Sequence, residues 1–585
     1  MRKFYVILLA VIASTNIAAQ DLPISVKPII WLKADSCSTQ NNVWQDISGN
    51  NLHANCAIGE LLPDSGLFNY NKTFVLSNTK PLKISYIPKS KSQLTIFTVF
   101  KATDSINELG VWYIQLDSLK NARLTTQKIK TIDTRIKYSD TTYTFPIINT
   151  SKPKWSKIDV DSSNCYLLVG GSDSLNFKGK FAEFLLFNTI LQGKDLDKVH
   201  TYLAIKYGIS LIRSDYVNSE DSVIWNYENN KKYSQNIAAI GKDTLLRINQ
   251  KQAAANGGED ILSIAANNHF ISNKENTAIL NQGDFLIWSS NDAKINKITE
   301  DSTGNEISNL PERRWLMIVK GNTASDISTQ LILDVSSIDT IGNCVLLINR
   351  EGNDSFTLEN SEIIHADSID VNKKVYFSNI NWDTDQSGSD MFTFLLGNRL
   401  TLLAEVTDAK SNGNNNEGKI KLEVIGGTPP FIYSLQADST QAIILWNSNS
   451  RIENKNNIIP GKYLAKVIDI KGKIDTKLLE VKLVSVKTNS TVKTPELPEN
   501  NTIYKESSFE VYPNPTSGNY FVNIRLTEIS DVVIRVRDAY GKLIKETTKS
   551  GANQYLIKDR INEPGCYFIE IETNKERKNF KLVVN

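Results

Sequence analysis

The sequence predicts an all-β, multidomain protein, and three observations predict it. Apolar residues alternate with polar ones over short runs, as at Tyr520, Val522, Ile524 and Leu526, or at Val532, Ile534 and Val536. That period of two belongs to half-buried strands. Turn residues punctuate the runs, as in Asp538-Ala539-Tyr540-Gly541 and Pro460-Gly461. At 585 residues the chain exceeds one core and calls for roughly four domains.

Residues 1–19 read as a secretory signal peptide. Arg2 and Lys3 precede ten apolar residues, Phe4 to Ala13, and small residues stand at Ala18-Ala19 before Gln20. Ten apolar residues are too few to span a bilayer, which needs about 20. No later run reaches membrane length.

Residues 20–212 read as short strands followed by one helix. Ile29-Ile30-Trp31-Leu32-Lys33-Ala34-Asp35 and Val43-Trp44-Gln45-Asp46-Ile47-Ser48-Gly49 open the segment, and Phe181-Ala182-Glu183-Phe184-Leu185-Leu186-Phe187 closes its strands. These residues resemble the concanavalin A-like, laminin-G-like jelly-roll domains, and the resemblance covers the two ends better than the middle. Leu196, Val199 and Leu203 then share one helical face, with Gly208 as the C-terminal cap.

Tyr202 to Leu211 resembles the hinge that joins such a sandwich to a second β domain in a family of exported proteins. That second domain, here 213–400, is matched by Ile237 to Asp243, Asn249-Gln250-Lys251-Gln252, Phe285-Leu286-Ile287-Trp288 and Arg313-Arg314-Trp315. The resemblance implies no biochemical activity for it.

Residues 401–486 form an immunoglobulin-sized unit, with Gly418 to Val424, Gly426-Gly427-Thr428-Pro429-Pro430-Phe431 and Pro460 to Asp469 as its strands and turns. It is similar to the repeat of the large gliding-motility adhesins. A Thr/Ser/Asn/Pro-rich linker at 487–508 cannot bury a core.

The last segment, 509–585, opens with Phe509-Glu510-Val511-Tyr512-Pro513-Asn514-Pro515-Thr516-Ser517-Gly518. It turns at Gly541 and again at Pro564-Gly565-Cys566. Motifs in that order resemble the type A C-terminal sorting domain of type IX secretion cargo in the Bacteroidota. The resemblance implies that Tyr512, Pro513, Asn514, Pro515, Gly518, Gly541 and Gly565 form the sorting motif, with the type IX machinery as partner. It also implies an extracellular or outer-membrane-surface location. Cys566 departs from the aliphatic residue usual there.

Charge and chemistry narrow the function. Without Arg2 and Lys3 the chain holds 64 basic and 64 acidic side chains, a balance with no field to attract nucleic acid. Of five cysteines, Cys37 and Cys56 are the candidate disulfide pair, and free buried thiols fit the odd count equally. Zinc spacings, a nucleophile elbow, a P-loop and a dinucleotide fingerprint are all absent from the sequence. A jelly-roll glycosidase needs paired carboxylates facing one cleft, whereas Glu183 stands alone on its strand and reads as a rim or salt-bridge residue. The chain is therefore read as a non-enzyme without cofactor.

Two weaker patterns remain. Asp383, Asp385, Ser387 and Asp390 imitate a calcium loop, but Phe394 occupies the position of the bidentate Glu, and a tight polar hairpin explains them as well. Trp31, Trp44 and Trp112 read as core residues, with sugar stacking as the alternative. In addition, Asp-(Ser/Thr)-X, with X aliphatic, Met or Thr, occurs ten times, which places acceptors at Ser105, Ser118, Thr141, Ser174, Ser222, Thr244, Ser302, Thr340, Ser368 and Ser439. The pattern resembles the Bacteroidota O-glycosylation motif, and Asp-Ser and Asp-Thr are also ordinary turn pairs.

The function read from this organisation is that of a secreted or cell-surface binding or adhesion protein that engages glycans or surface polysaccharide. A ligand-free structural spacer of a surface layer is the alternative, and a polysaccharide hydrolase stands third.

Overall fold

The computed structural model describes residues 21–484 and 507–584. Left out are the intervals 39–42, 56–61, 78–79, 87–91, 104–106, 116–120, 131–134, 138–145, 156–164, 257–260, 299–306, 339–340 and 411–417, and single residues 173, 398, 513, 517 and 562. The signal peptide, most of the linker, Cys56, Pro513, Ser105, Ser118, Thr141, Ser302 and Thr340 lie outside the described residues. The chain forms two units, 1–486 and 487–585. Strands dominate both, and the all-β, multidomain reading holds.

In the first unit, strand β1 (Ile30–Ser38) pairs antiparallel with β3 (Lys178–Phe187), aligning Trp31 with Leu185 and Lys33 with Glu183. Strand β2 (Thr95–Ala102) lies on the other side of β3, with a register shift between Phe181 and Glu183. Alternation along these strands sends Ile30, Leu32, Phe184 and Leu186 into one core, with Trp44, Phe74, Trp112 and Phe181. The opposite face sends Trp31, Phe97, Leu185 and Phe187 into another. Burial on both faces explains why these strands read as continuous apolar runs. The Trp44-Gln45-Asp46-Ile47-Ser48 element owes its sequence to Asp46, which accepts hydrogen bonds from the backbone N–H groups of Trp31, Ser48 and Leu52.

Helix α1 (Gly193–Tyr207) ends on Gly208, whose φ of +63° is left-handed and whose N–H caps Ala204. A Cβ there would lie 2.2 Å from the Ala254 carbonyl oxygen, so only glycine fits. Val199, Thr201, Tyr202, Leu203, Ala204 and Ile205 are all buried, far more than one face of a surface helix. The reason is its position: α1 fills the space between the first sandwich and the sheet of the second domain. One core holds Trp31 and Phe97, the helical Val199, Tyr202 and Leu203, and Ile237, Ala239 and Ile287 beyond them. The stretch read as a hinge is thus a shared structural layer.

The second domain packs a seven-stranded sheet on a five-stranded one. The larger contains β4 (Gln235–Asp243), β5 (Phe285–Ser290), β6 (Trp315–Lys320), β7 (Val345–Asn349) and β8 (Ser389–Leu395). Its inner face holds Trp288, Trp315, Phe392 and Phe394. Gln250, in the Asn-Gln-Lys-Gln stretch, donates to the Asn69 carbonyl and accepts from the Asn71 amide, stitching this domain to the first sandwich.

The immunoglobulin-like unit packs the strands Thr401–Thr407, Gly418–Ile425 and Ile452–Ile458 against a four-stranded sheet. That sheet contains β9 (Phe431–Ala437), β10 (Ile443–Ser448), β11 (Gly461–Asp469) and β12 (Ile474–Val481), in the order β10-β9-β11-β12. Leu403 and Ile425 share a core with Leu316, Val345 and Leu395 of the preceding domain. At the far end, Ala409–Lys410 pairs in parallel with Leu483–Val484.

In the second unit, two strands of 19 and 18 residues, Asn519–Arg537 and Leu543–Arg560, pair with each other. Ser508–Tyr512, the first strand, and Gly565–Thr573 also pair with Asn519–Arg537, and Arg577–Val584 beyond Gly565–Thr573 completes a five-stranded sheet. Tyr520, Val522, Ile524, Val532, Ile534 and Ile569 face the core, as their period-two spacing predicts.

Candidate functional site

Of the residues read as the sorting motif, Asn514 is held by the last strand, while Tyr512 and Gly541 stand elsewhere in the domain. Asn514 accepts a hydrogen bond from the Val583 N–H (3.0 Å) and donates one to the Lys581 carbonyl (2.6 Å). The Thr516 N–H donates to the Val583 carbonyl at 2.8 Å. Gly518 follows with φ of +122°, where a Cβ would meet the Ile561 carbonyl at 2.7 Å. The Asn-Pro-Thr-Ser-Gly run is therefore a clip that fastens the first strand of the domain to its last. Tyr512 is partly exposed and stacks on Phe521 at 5.7 Å. Gly541 (φ +85°) closes the turn in which Asp538 accepts from the Tyr540 and Lys542 N–H groups.

Beside the clip, Tyr520, Lys545, Asp559, Arg560 and Tyr567 line an open cleft of about 380 Å³. Tyr520 donates to Asp559 at 2.8 Å and Lys545 pairs with the same carboxylate at 2.5 Å. Burial alone would raise the Asp559 carboxyl, but Lys545, the Arg560 N–H and Tyr520 hold it below its usual value. The cleft's charges are matched internally.

The first unit contains a buried ionic cluster centred on Glu183. Glu183 is fully buried and accepts from Trp31 Nε1 (2.5 Å), Tyr202 (2.8 Å), Tyr207 (2.7 Å) and Lys206 (2.9 Å). Burial opposes its charge, but Lys206, Lys33 and these hydrogen bonds hold the carboxyl below its ordinary range. Lys33 Nζ lies 4.2 Å from the Trp31 ring, and burial, aided by Lys206, lowers it to about 7. Of the two sequence readings of Glu183, the rim fails and the salt bridge holds: paired with Lys206 and fully buried, it is the ionic centre of the joint between sandwich and helix. Its strand neighbours gave the only hint, since no surface strand keeps Phe184 to Phe187 apolar on both faces. The four partners of Glu183 tie strand β1 and helix α1 to strand β3.

Trp31, Trp44 and Trp112 are all fully buried. The sugar-stacking alternative for them is therefore corrected: they fill the cores, and none presents a ring face to solvent. Asp383, Asp385 and Ser387 share the connection from strand Lys374–Ile380 of the five-stranded sheet to β8 of the seven-stranded one, and Asp390 lies in β8; the expected hairpin is therefore corrected to a crossover between sheets. Asp383 accepts from the Gly388 N–H at 2.6 Å, Asp385 from the Ser387 N–H at 3.2 Å, and Asp390 is buried against Arg350 at 2.9 Å. Burial, opposed by Arg350, raises Asp390 to about 6. Among the described residues no group of three or more His, Cys, Asp or Glu is placed to hold a metal ion.

Of the ten glycosylation acceptors, the five described ones, Ser174, Ser222, Thr244, Ser368 and Ser439, are all exposed. Cys37 lies in β1, its candidate partner Cys56 lies outside the described residues, and Cys344 and Cys566 are free thiols. Among the described residues no helix is long and apolar enough to cross a membrane.

Residues 510–585 match the family described as the secretion system C-terminal sorting domain. Residues 195–387 match a domain of unknown function, DUF8202. The sorting-domain match supports a type IX secretion cargo protein, delivered to the cell surface or the extracellular space. The DUF8202 match begins inside α1, in keeping with a helix packed against the second domain as well as the first.

No curated protein matches the chain. Among solved structures, domain 4 of AbnA, an extracellular arabinanase of Geobacillus stearothermophilus, is similar at 14% identity over 29% of this chain and 97% of that one, with a TM-score of 0.21. Dimeric latent PorU of Porphyromonas gingivalis is similar at 12% identity over 46% and 31%, with a TM-score of 0.13. The FN1–FN3 domains of chicken CNTN1 are similar at 10% identity over 48% and 97%, with a TM-score of 0.14. Similarity at this level is too local to bear on function.

Proposed function

We propose that the chain is a cell-surface or secreted adhesion protein in which residues 21–486 are displayed and residues 509–585 direct export. The observation that carries the export half is the sorting-domain match together with the Asn514 clip that completes the domain. The displayed unit is a series of β modules with shared cores, and its buried Glu183 is taken up by Trp31, Tyr202, Lys206 and Tyr207. Such a rigid, multidomain body suits adhesion through its surfaces more than chemistry in a cleft.

Glycan or surface-polysaccharide binding would have to use side chains other than Trp31, Trp44 and Trp112, which are core. That burial favours a second reading, a structural spacer without ligand. Deleting residues 509–585 tests export: the truncated chain should stay in the periplasm, and its appearance outside the cell at the full-length level would count against the reading. A polysaccharide array with the full chain separates adhesion to glycans from the spacer role.

A further inference from the structure

One edge of the immunoglobulin-like unit is built unlike the others. Strand β10, Ile443-Ile444-Leu445-Trp446-Asn447-Ser448, ends the four-stranded sheet and has no charged residue and no proline. The other outer strands of the unit carry Glu405, Glu453 and Lys455, or Asp475, Lys477 and Glu480. Inward or outward charges of that kind are what keep sheet edges from pairing.

The hydrogen-bond pattern says which groups β10 offers. The Ala437 N–H donates to the Ala442 carbonyl, and the Asp438 N–H donates to the Lys462 carbonyl. Ala437 thus bonds toward β10 and the next residue bonds away from it, toward β11. Antiparallel pairs alternate between bonded and non-bonded. With the observed register (Leu435 opposite Ile444, Tyr433 opposite Trp446), Ile444 and Trp446 bond to β9. The N–H and C=O groups of Ile443, Leu445 and Asn447 therefore point to the open edge. The same three side chains lie on the outer face, because Tyr433 and Leu435 face the core. That outer face carries exposed apolar side chains among polar ones: Ile432, Ile443, Leu445, Ile474 and Leu478 are between 39% and 76% exposed, with Ser434, Gln436, Asn447 and Lys466 beside them.

We propose that β10 pairs antiparallel with β10 of a second copy of this chain, centred on Leu445, to form one eight-stranded sheet. A second copy is the occupant this strand fits by its own symmetry. With Leu445 opposite Leu445 and Ile443 opposite Asn447, all six open-edge groups of each strand find partners, giving six hydrogen bonds in one isologous contact. The two outer faces stay on the same side, so Ile443 and Leu445 of both copies adjoin. No like charges meet, since the strand has none. A centre between Leu445 and Trp446 would turn the apolar faces to opposite sides.

The test uses the full chain. Sedimentation velocity over a concentration series should show a monomer–dimer equilibrium. Leu445→Lys, which places two like charges at the centre, should raise the dimer dissociation constant roughly tenfold or more. Val371→Lys, at a 98% exposed site in another domain, should leave it unchanged. In a Cys566→Ser background, Leu445→Cys should give a disulfide dimer under mild oxidation, because opposed bonded-pair Cα atoms lie about 5.5 Å apart, within disulfide range. Ile443→Cys, which would face Asn447, should not. A monomer at every concentration, a dimer unaffected by Leu445→Lys, or cross-linking at 443 in place of 445 would each overturn the proposal.

Discussion

Lys206 Nζ lies 2.9 Å from Glu183 Oε2, and this ion pair joins the helix to a strand of the first sandwich with the carboxylate fully out of water. Tyr202 and Tyr207, five residues apart on the same helix, donate to the same carboxylate. Removing one member of a buried pair strands the other charge in low dielectric. Glu183→Ala should therefore cost about 3–5 kcal/mol of stability, read as a lowered midpoint in urea or heat. A loss below about 0.5 kcal/mol, the scale of a surface substitution, would mean that the cluster is not a structural centre.

Lys33 gives that cluster a pH dependence with a definite sign. Burial lowers it from 10.5 to about 7. Between those values the unfolded chain holds a proton that the folded chain has released, so this group adds stability as pH rises from 7 to 10.5. Below pH 7 both states are protonated and the gain is gone. Lys33→Met should flatten that rise in the difference between the two stability profiles. Parallel profiles for parent and variant would exclude the coupling.

The shared core sets how the chain can be divided. A fragment ending at residue 212 would leave the helix face of Val199, Leu203 and Ile205 without Ile237, Ala239 and Ile287. It should bind a hydrophobic dye and lose a sharp melting transition, while a fragment ending at residue 486, which keeps Leu403 and Ile425 against Leu316, Val345 and Leu395 as well, should melt sharply. Equal cooperativity in the two would show that the first sandwich stands by itself.

In the sorting domain, Asn514→Ala removes an acceptor for the Val583 N–H and a donor to Lys581. The expected loss is about 1–2 kcal/mol, with faster amide exchange at Val583 than at residues of the central strands. Unchanged exchange at Val583 would be contrary evidence.

The five described acceptor hydroxyls should be modified when the protein is made by a host with the matching O-glycosylation, since all five are exposed. Intact mass before and after chemical release of O-glycans checks this. A single unglycosylated mass would leave Asp-Ser and Asp-Thr as turn pairs only.

Much of the fold was legible because strand alternation is a local signal. Tyr520, Val522 and Ile524 face the core as their spacing requires, and the Asp538–Gly541 turn forms where its residues predict. The helix was legible from Leu196, Val199, Leu203 and Gly208, but its layer position was not. Periodicity marks a buried face and cannot say how many sheets cover it; the unbroken apolar run Tyr202-Leu203-Ala204-Ile205 was the available sign. Glu183 was legible as a salt-bridge residue but not as a buried centre, since its four partners come from β1 and α1 and share no spacing with it. The tryptophans were legible as core residues by type. Edge β10 escaped notice altogether, because which strand ends a sheet is decided by pairing and not by the strand's own sequence.

The parallel pairing of Ala409–Lys410 with Leu483–Val484 has a mechanical consequence. Tension applied to the chain beyond residue 484, against an anchor before residue 401, pulls these two segments along their own axes in opposite directions. Their rungs are then sheared together, whereas an antiparallel hairpin pulled from its open end would unzip one rung at a time. The immunoglobulin-like unit thus closes with a small shear clamp at the point where a load would enter it, and its resistance to force should depend on the direction of pulling.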